Sequence, residues 1–362
     1  MMRLNDLYEL SVPPVSRDIC ASSKHIWDSV AHPLDGLGAL EEDICRIAAA
    51  QGRVLPDITK KALLIFCADN GVVSEGVSQC GSDVTFKVAE LMGQRKSSVG
   101  IMTQGYPVDI ITVDTGIDSD ESIDGVIEHK IRRGSGNIMK EAAMSEEECL
   151  KAIECGTEMV HELAKQGYGI IATGEMGIGN TTTSTAVLCA LSGLGPEQVT
   201  GRGAGLSDEG LAKKIAVIKK ALSFHQLDCT PGVISKEYAF KVLRSLGGFD
   251  IAALTGTFIG GAMYKVPVVA DGLISAVAAL CAEYIAPGCS SYMLASHNGK
   301  ERGCEAVLAK LKLHPVIDAD LALGEGSGAV LLLPMLDMAM NLYKAGTAFG
   351  NTGIESYKRF DQ

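Results

Sequence analysis

"KALLIFCADNG", residues 61–71, decides the fold. An unbroken apolar run from Ala62 to Ala68 ends at Asp69, Asn70 and Gly71. A strand with one wet face would alternate polar and apolar side chains. A run that stays apolar reads instead as a strand buried on both faces. The run predicts a strand over 61–67 and a loop at 69–71. The same plan returns three times. "PVDIITVDTG" (107–116) predicts a strand over 107–113 followed by Asp114, Thr115 and Gly116. "GYGIIATGEMG" (167–177) and "VPVVADGL" (266–273) repeat it. Helical patterns lie between these runs, so the fold class is α/β with a mostly parallel sheet. Right-handed crossovers bring the strand C-termini to one edge, where ligands bind in such sheets. Asp69, Asp114, Glu175 and Asp271 are therefore expected around one crevice.

The chain ends read differently. "LDGLGALEEDICRIAAAQG" (34–52) spaces Leu37, Leu40, Ile44 and Ile47 three and four apart and stops at Gly52, an amphipathic helix with a glycine terminator. "GAVLLLPMLDMAMNLYKAG" (328–346) is helical in spacing as well. The two ends are expected to meet in a small helical subdomain. The 362 residues are 47% apolar and 21% charged with a formal net charge of −12, which argues against a nucleic-acid surface. Eleven cysteines are scattered with no Cys-x-x-Cys pair and no zinc spacing. Cys67, Cys189 and Cys281 sit in apolar runs, as reduced core thiols of a cytoplasmic protein would. The start "MMRLNDLYEL" lacks the plan of a signal peptide, and Asp271, Gly272 and Glu283 interrupt the apolar stretch 266–286, so no membrane span is expected.

"GEMGIGNTTT" (174–183) nearly spells a P-loop, with Gly174, Gly179 and Thr181 in place, but Asn180 stands where the lysine belongs. The strand is expected to end at Thr173 and a helix to begin near Thr181. Backbone N–H groups at Gly174, Gly177 and Gly179, with the helix N-terminus, suit an anion. Without the lysine, and with Glu175 inside the loop, a single phosphate fits better than a polyphosphate. The bland reading is a tight strand-to-helix turn. "TGRGAGLSDEGLAKK" (200–214) holds a second glycine turn containing Gly203, then a helix carrying Lys213 and Lys214. Either lysine could supply the missing charge, though a lysine pair on a helix is usually a solvated face. "LALGEGSGAV" (321–330) sets Glu325 between Gly324 and Gly326, a carboxylate with little steric cover that could act as a base. Its bland reading is a solvent-facing loop residue. His297 in "ASHNGKERG" has no partner at metal spacing.

Together these blocks resemble one family, the nicotinate-nucleotide–dimethylbenzimidazole phosphoribosyltransferases of cobalamin lower-ligand synthesis. The resemblance rests on "FCADNGVVSEGVS", "ATGEMGIGNTTTSTAV", "TGRGAGLSDEGLAKK", "GGFDIAALTGTFIGGA", "PVVADGLISAVAA" and "LALGEGSGAVLLLPMLDMA", in family order from about residue 60 to 340. It implies a Rossmann-like three-layer domain over 55–325, with a helical subdomain from 1–54 and 326–362, and a homodimer. It implies transfer of phosphoribose from nicotinate mononucleotide to a benzimidazole, without metal or cofactor. Glu325 would be the general base, with Glu175 the next candidate. Gly174, Gly177, Gly179, Asn180, Thr181, Gly203, Lys213, Lys214 and Asp271 would serve phosphate and ribose. Ser78, Phe86, Lys87 and Met176 would serve the acceptor base.

The segment "EGVSQCGSDVTFKVAEL" (75–91) departs from the family pattern. Cys80 and Gly81 replace an aromatic and a proline, and Lys87 and Val88 replace Gln and Met. Less stacking area and a cation at the rim imply a weaker preference for dimethylbenzimidazole. "S-H-x-S" also reads Ser296-His297-Asn298-Gly299, one hydroxyl fewer. The rival reading is a non-catalytic nucleotide-binding relative; a triphosphate hydrolase is disfavoured by Asn180.

Overall fold

Every residue of Lys61–Ala68 (β1) is buried. Its alternate positions serve two cores. Ala62, Leu64, Phe66 and Ala68 join one apolar cluster, and Leu63, Ile65 and Cys67 join the other. Side chains alternate across a strand, so a strand covered twice must be apolar at every position. The computed structural model describes residues 2–228 and 232–359. Around β1 it places β2 (Asp109–Gly116), β3 (Ile127–Glu128), β4 (Ile170–Met176), β5 (Val268–Ala270) and β6 (Met293–Ala295). The order is β3-β2-β1-β4-β5-β6, and each neighbouring pair is parallel. The fold class is the expected α/β one.

Parallel neighbours need crossover connections, and the helices that make them cover the sheet. Helices Glu146–Lys165, Asn180–Ser192, Phe249–Tyr264 and Leu273–Ile285 lie over one face. Helices Ala39–Gln51, Asp83–Gly93 and Ser327–Ala345, with Trp27 from Arg17–Ser29, cover the other. Segments near the two chain ends touch. Val30 bridges Ala348, and Tyr343 Oη donates to the Val54 carbonyl at 2.7 Å and accepts from Ser23 Oγ at 3.0 Å. Their helices share one apolar cluster with Leu63, Ile65, Ala172 and Val269 of the sheet, so they form its covering layer. Residue 1 and residues 360–362, the outer limits of the expected subdomain, lie outside the described residues.

Strand limits differ from expectation where backbone pairing continues past the apolar run. β2 starts at Asp109 and extends to Gly116, opposite Ala68. β4 extends beyond Thr173 to Met176, opposite Cys67. The described cysteines are free thiols, Cys67, Cys189 and Cys281 among them. Among the described residues no helix is long and apolar enough to cross a membrane.

The helices Glu146–Lys165 and Phe249–Tyr264 touch backbone to backbone. A Cβ on Gly156 would lie 1.8 Å from Ala253 O, and one on Gly256 2.0 Å from Ile153 O. Gly256→Ala is therefore expected to cost about 1–3 kcal/mol, as overpacking does, and to lower the melting temperature in a thermal scan. A variant that melts with the wild type would show that the helices can move apart freely.

Candidate active site

A cavity of about 290 Å³ opens at the C-terminal ends of β4 and β5. Its walls come from the loop after β1 (Val77, Ser78, Gln79), the end of β4 (Glu175, Met176), the turn into helix Asn180–Ser192, the Arg202–Gly203 turn, and 321–325. This is the sheet edge that parallel topology assigns to ligands.

The near-P-loop is shorter than its sequence suggests. Gly174 pairs with Ile65 and Glu175 with Phe66 inside the ladder, so neither belongs to the loop. That leaves Gly177–Gly179 as the turn, and the helix starts at Asn180. Gly174 is bare for another reason: a Cβ there would lie 2.8 Å from Glu325 O. Its expected place in a phosphate cradle is corrected to a seat for the Glu325 turn. Asn180 lines the cavity with its side-chain amide already engaged. Its side-chain amide donates to Glu175 Oε2 and, at 3.0 Å, to Asp250 Oδ2. The residue that replaces the P-loop lysine is thus occupied with two carboxyl groups. Gly177, Gly179 and Thr181 do line the cavity.

The two lysines separate. Lys214 is fully buried and its Nζ donates to Thr181 Oγ1 at 2.9 Å and to Gly201 O at 3.2 Å. Burial pushes its pKa down to about 8, and the Glu301 charge opposes that shift. Lys213 is exposed and does not line the cavity; its amine lies beside Gly76. Helical geometry turns neighbours about 100° apart, so only one could face the turn. Gly203 lines the cavity, and its N–H donates to Glu301 Oε1 at 3.0 Å. Arg202 also lines the cavity, with one guanidinium nitrogen on Leu206 O at 2.8 Å and another on Asp208. Nothing in the motif spacing singles out Arg202 or Glu301. Only their places beside glycine turns could have flagged them.

Among the carboxyl groups that line the cavity, Glu325 and Glu175 stand in different settings. Glu325 has φ 60°, between Gly324 at 83° and Gly326 at 81°. A left-handed conformation costs a residue with a Cβ about 1–2 kcal/mol, and such strain clusters at functional sites. Glu325 Oε2 accepts from Val99 N–H at 3.0 Å, which leaves the other oxygen for a ligand. Glu175 is buried, and that burial first, with Asp250, Asp271 and Glu325 adding their charge, pushes its pKa up to about 8 against the Asn180 hydrogen bond. At neutral pH Glu175 is mostly a neutral acid and a hydrogen-bond donor.

Asp271 lines the cavity, but its Oδ1 accepts from Ala329 N–H at 2.9 Å. That oxygen pins the start of helix Ser327–Ala345, so the expected ribose role is left to the other one. Burial raises the Asp271 pKa, and His297 opposes the rise. His297 Nδ1 contacts Ser296 Oγ at 2.9 Å and lies 4.0 Å from Asp271 Oδ1.

Asp69 and Asp114 do not join them. Asp114 Oδ1 accepts from Gly116 and Ile117 N–H at 2.9 and 2.8 Å, and Lys130 lies 3.2 Å from its other oxygen. Asp69 Oδ2 accepts from Asp118 N–H at 2.8 Å. Both build the loop at the β1–β2 side, away from the β4–β5 crevice. At the acceptor end Ser78 and Met176 line the cavity. Phe86 and Lys87 do not: Phe86 packs on the apolar cluster, and exposed Lys87 pairs with Asp83 at 2.6 Å. The helix instead presents Val88. Among the described residues no cluster of His, Cys, Asp and Glu could hold a metal ion.

A family model described as "Phosphoribosyltransferase" matches residues 12–354. The nicotinate-nucleotide–dimethylbenzimidazole phosphoribosyltransferase of Ruminiclostridium cellulolyticum is 41% identical over 355 residues, covering 98% of this chain and 97% of the relative. That of Acetivibrio thermocellus is 40% identical over 331 residues, covering 91% and 92%. The crystal structure of the enzyme so named from Thermus thermophilus superposes with a TM-score of 0.85 at 32% identity, over 94% of this chain and 99% of that one.

Raised carboxyl pKa values make stability depend on pH. Between its ordinary 4.5 and about 8, folded Glu175 holds a proton that the unfolded chain has released. Its contribution is complete below 4.5 and is lost as pH rises through 8. Asp250, raised to about 6, adds the same sign at lower pH. Between pH 5.5 and 8.5 the wild-type melting temperature is expected to fall more than that of Glu175→Gln, by about 2 °C or more. Parallel curves would show that Glu175 ionises normally.

Proposed function

The chain belongs to the nicotinate-nucleotide–dimethylbenzimidazole phosphoribosyltransferase family, and from that premise we propose that its cavity moves the phosphoribosyl group of nicotinate mononucleotide onto an aromatic nitrogen base. The products are nicotinate and, with 5,6-dimethylbenzimidazole, α-ribazole 5′-phosphate, which places the reaction in cobalamin lower-ligand synthesis. One observation carries the reading: Glu325 is held in a strained, glycine-flanked turn at the cavity, anchored by Val99 N–H through one oxygen.

The donor's ring is a pyridinium. When the C1′–N bond breaks, the electron pair returns to that nitrogen and the ring leaves neutral, so no acid is needed at the leaving group. The acceptor's second ring nitrogen carries the proton. Glu325 takes it as the other nitrogen attacks C1′ from the opposite face, converting the β anomer to α. Glu175, held as a neutral acid, is the poorer base and the better donor. The 5′-phosphate would sit at Gly179, Thr181 and Gly203, with Lys214 behind. No metal enters this scheme, because no pyrophosphate leaves.

We place the enzyme in the cytoplasm, where thiols such as Cys67 stay reduced, and infer a homodimer. Leu331, Met335 and Met338 recur at helical spacing, with Leu331 and Met338 exposed. Neighbouring Ile101 and Met102 are exposed as well, a surface that a second copy would cover.

Nicotinate release, followed with donor and base together and with each alone, tests the assignment. Release only with both is expected, and Glu325→Gln should slow it roughly 10²- to 10⁴-fold with little change in donor binding. Binding of the donor without turnover across a panel of bases would favour a non-catalytic relative.

Val88, Met176 and Leu321–Leu323 form an aliphatic acceptor wall, with no Phe, Tyr or Trp among the described lining residues. Less stacking should weaken selectivity. In competition among dimethylbenzimidazole, benzimidazole, 5-hydroxybenzimidazole, adenine and a phenol, mass analysis should find appreciable product from unmethylated or hydroxylated bases. Dominance of dimethylbenzimidazole over all the others would refute this preference and leave the transferase reading standing.

A further inference from the structure

Several polar groups converge on the turn Gly201–Gly203. Gly203 N–H donates to Glu301 Oε1 at 3.0 Å. Lys214 Nζ holds Gly201 O from within at 3.2 Å and Thr181 Oγ1 at 2.9 Å. The second carboxylate oxygen, Glu301 Oε2, is buried without a hydrogen-bond partner. It fits only because Gly201 is bare: a Cβ there would stand 1.6 Å away. Thr181, Gly203 and Glu301 all line the cavity, and the Glu301 charge acts on Lys214.

A carboxylate in this corner satisfies one N–H and leaves half its acceptor capacity unused, which is costly in a buried place. A phosphate would bring three acceptor oxygens to the same donors. We infer that Glu301 is the resident anion of the phosphate cradle: it holds Gly203 N–H in the empty enzyme, yields to the donor's 5′-phosphate, and returns as the product leaves. This rests on the reading of the turn as the phosphate site. Donor and product carry the same phosphate, so the carboxylate opposes both alike and does not touch C1′. Such a uniform effect moves KM and product release but not the chemical step. Glu301 is thus a residue that sets donor affinity rather than a catalytic one.

The test is calorimetric titration of inorganic phosphate into wild type and Glu301→Gln, with steady-state kinetics on both. Losing a charge-assisted competitor should tighten phosphate binding roughly ten-fold or more. KM for nicotinate mononucleotide should fall with it, while kcat stays level or drops as product release slows. Phosphate binding that is equal or weaker in the variant overturns the inference, as does a raised kcat at unchanged KM. Should Glu301→Gln fail to fold, Glu301→Ala, which also removes the carboxylate, carries the same expectation and the same refutation. Phosphate that binds none of these proteins, while the wild type turns over the donor, is a failure of the phosphate reading itself and takes the inference with it.

Discussion

The turn Gly324–Gly326 rests on the bare backbone of β4. A side chain at Gly174 would meet Glu325 O at 2.8 Å, and one at Gly326 would meet Leu63 and the Thr173 carbonyl. Close approach here brings a segment from the far end of the chain onto the central strands. Asp271 secures it from β5 by accepting from Ala329 N–H, and Val99 N–H secures the Glu325 carboxylate. The strained backbone at Glu325 persists because these contacts over-determine it.

From that docking follows the difference between Glu175 and Glu325. Glu175 lies within the ladder of β4, opposite Phe66, with Asp250 and Asp271 near enough to raise its pKa further. Asn180 supplies N–H groups to Glu175 and Asp250 together, which keeps two acids in one buried corner. Glu325 sits at the end of a loop, half-buried. One fold thereby presents a buried carboxyl that retains its proton beside a half-buried one set in a glycine turn.

Charge is managed just as closely at the other end of the cavity. A buried Lys214 without acceptors would be expensive; Thr181 Oγ1 and Gly201 O accept its hydrogen bonds. The near-P-loop and the second glycine turn therefore act as one unit, joined through a lysine that belongs to neither. This explains how a P-loop-like turn lacking its own lysine still has a cation within reach.

The apolar continuity of 62–68, and its repetition along the chain, determined the parallel sheet, because burial on both faces admits no polar position. The glycine pattern around Glu325 marked the turn, because left-handed backbone is written in glycines. Periodicity could not say that β4 would pair on to Met176, since ladder length depends on the neighbouring strand, and the near-P-loop pattern alone puts Gly174 and Glu175 in a loop. Nor could spacing choose between Lys213 and Lys214, keep Asp69 and Asp114 out of the crevice, or turn Lys87 outward and Val88 inward. Those outcomes depend on which helix face meets the sheet and on which side of β1 each strand pairs. Asn180 shows the limit best: the sequence identified the missing lysine, but only the packing of Glu175 against Asp250 decided what its replacement is for.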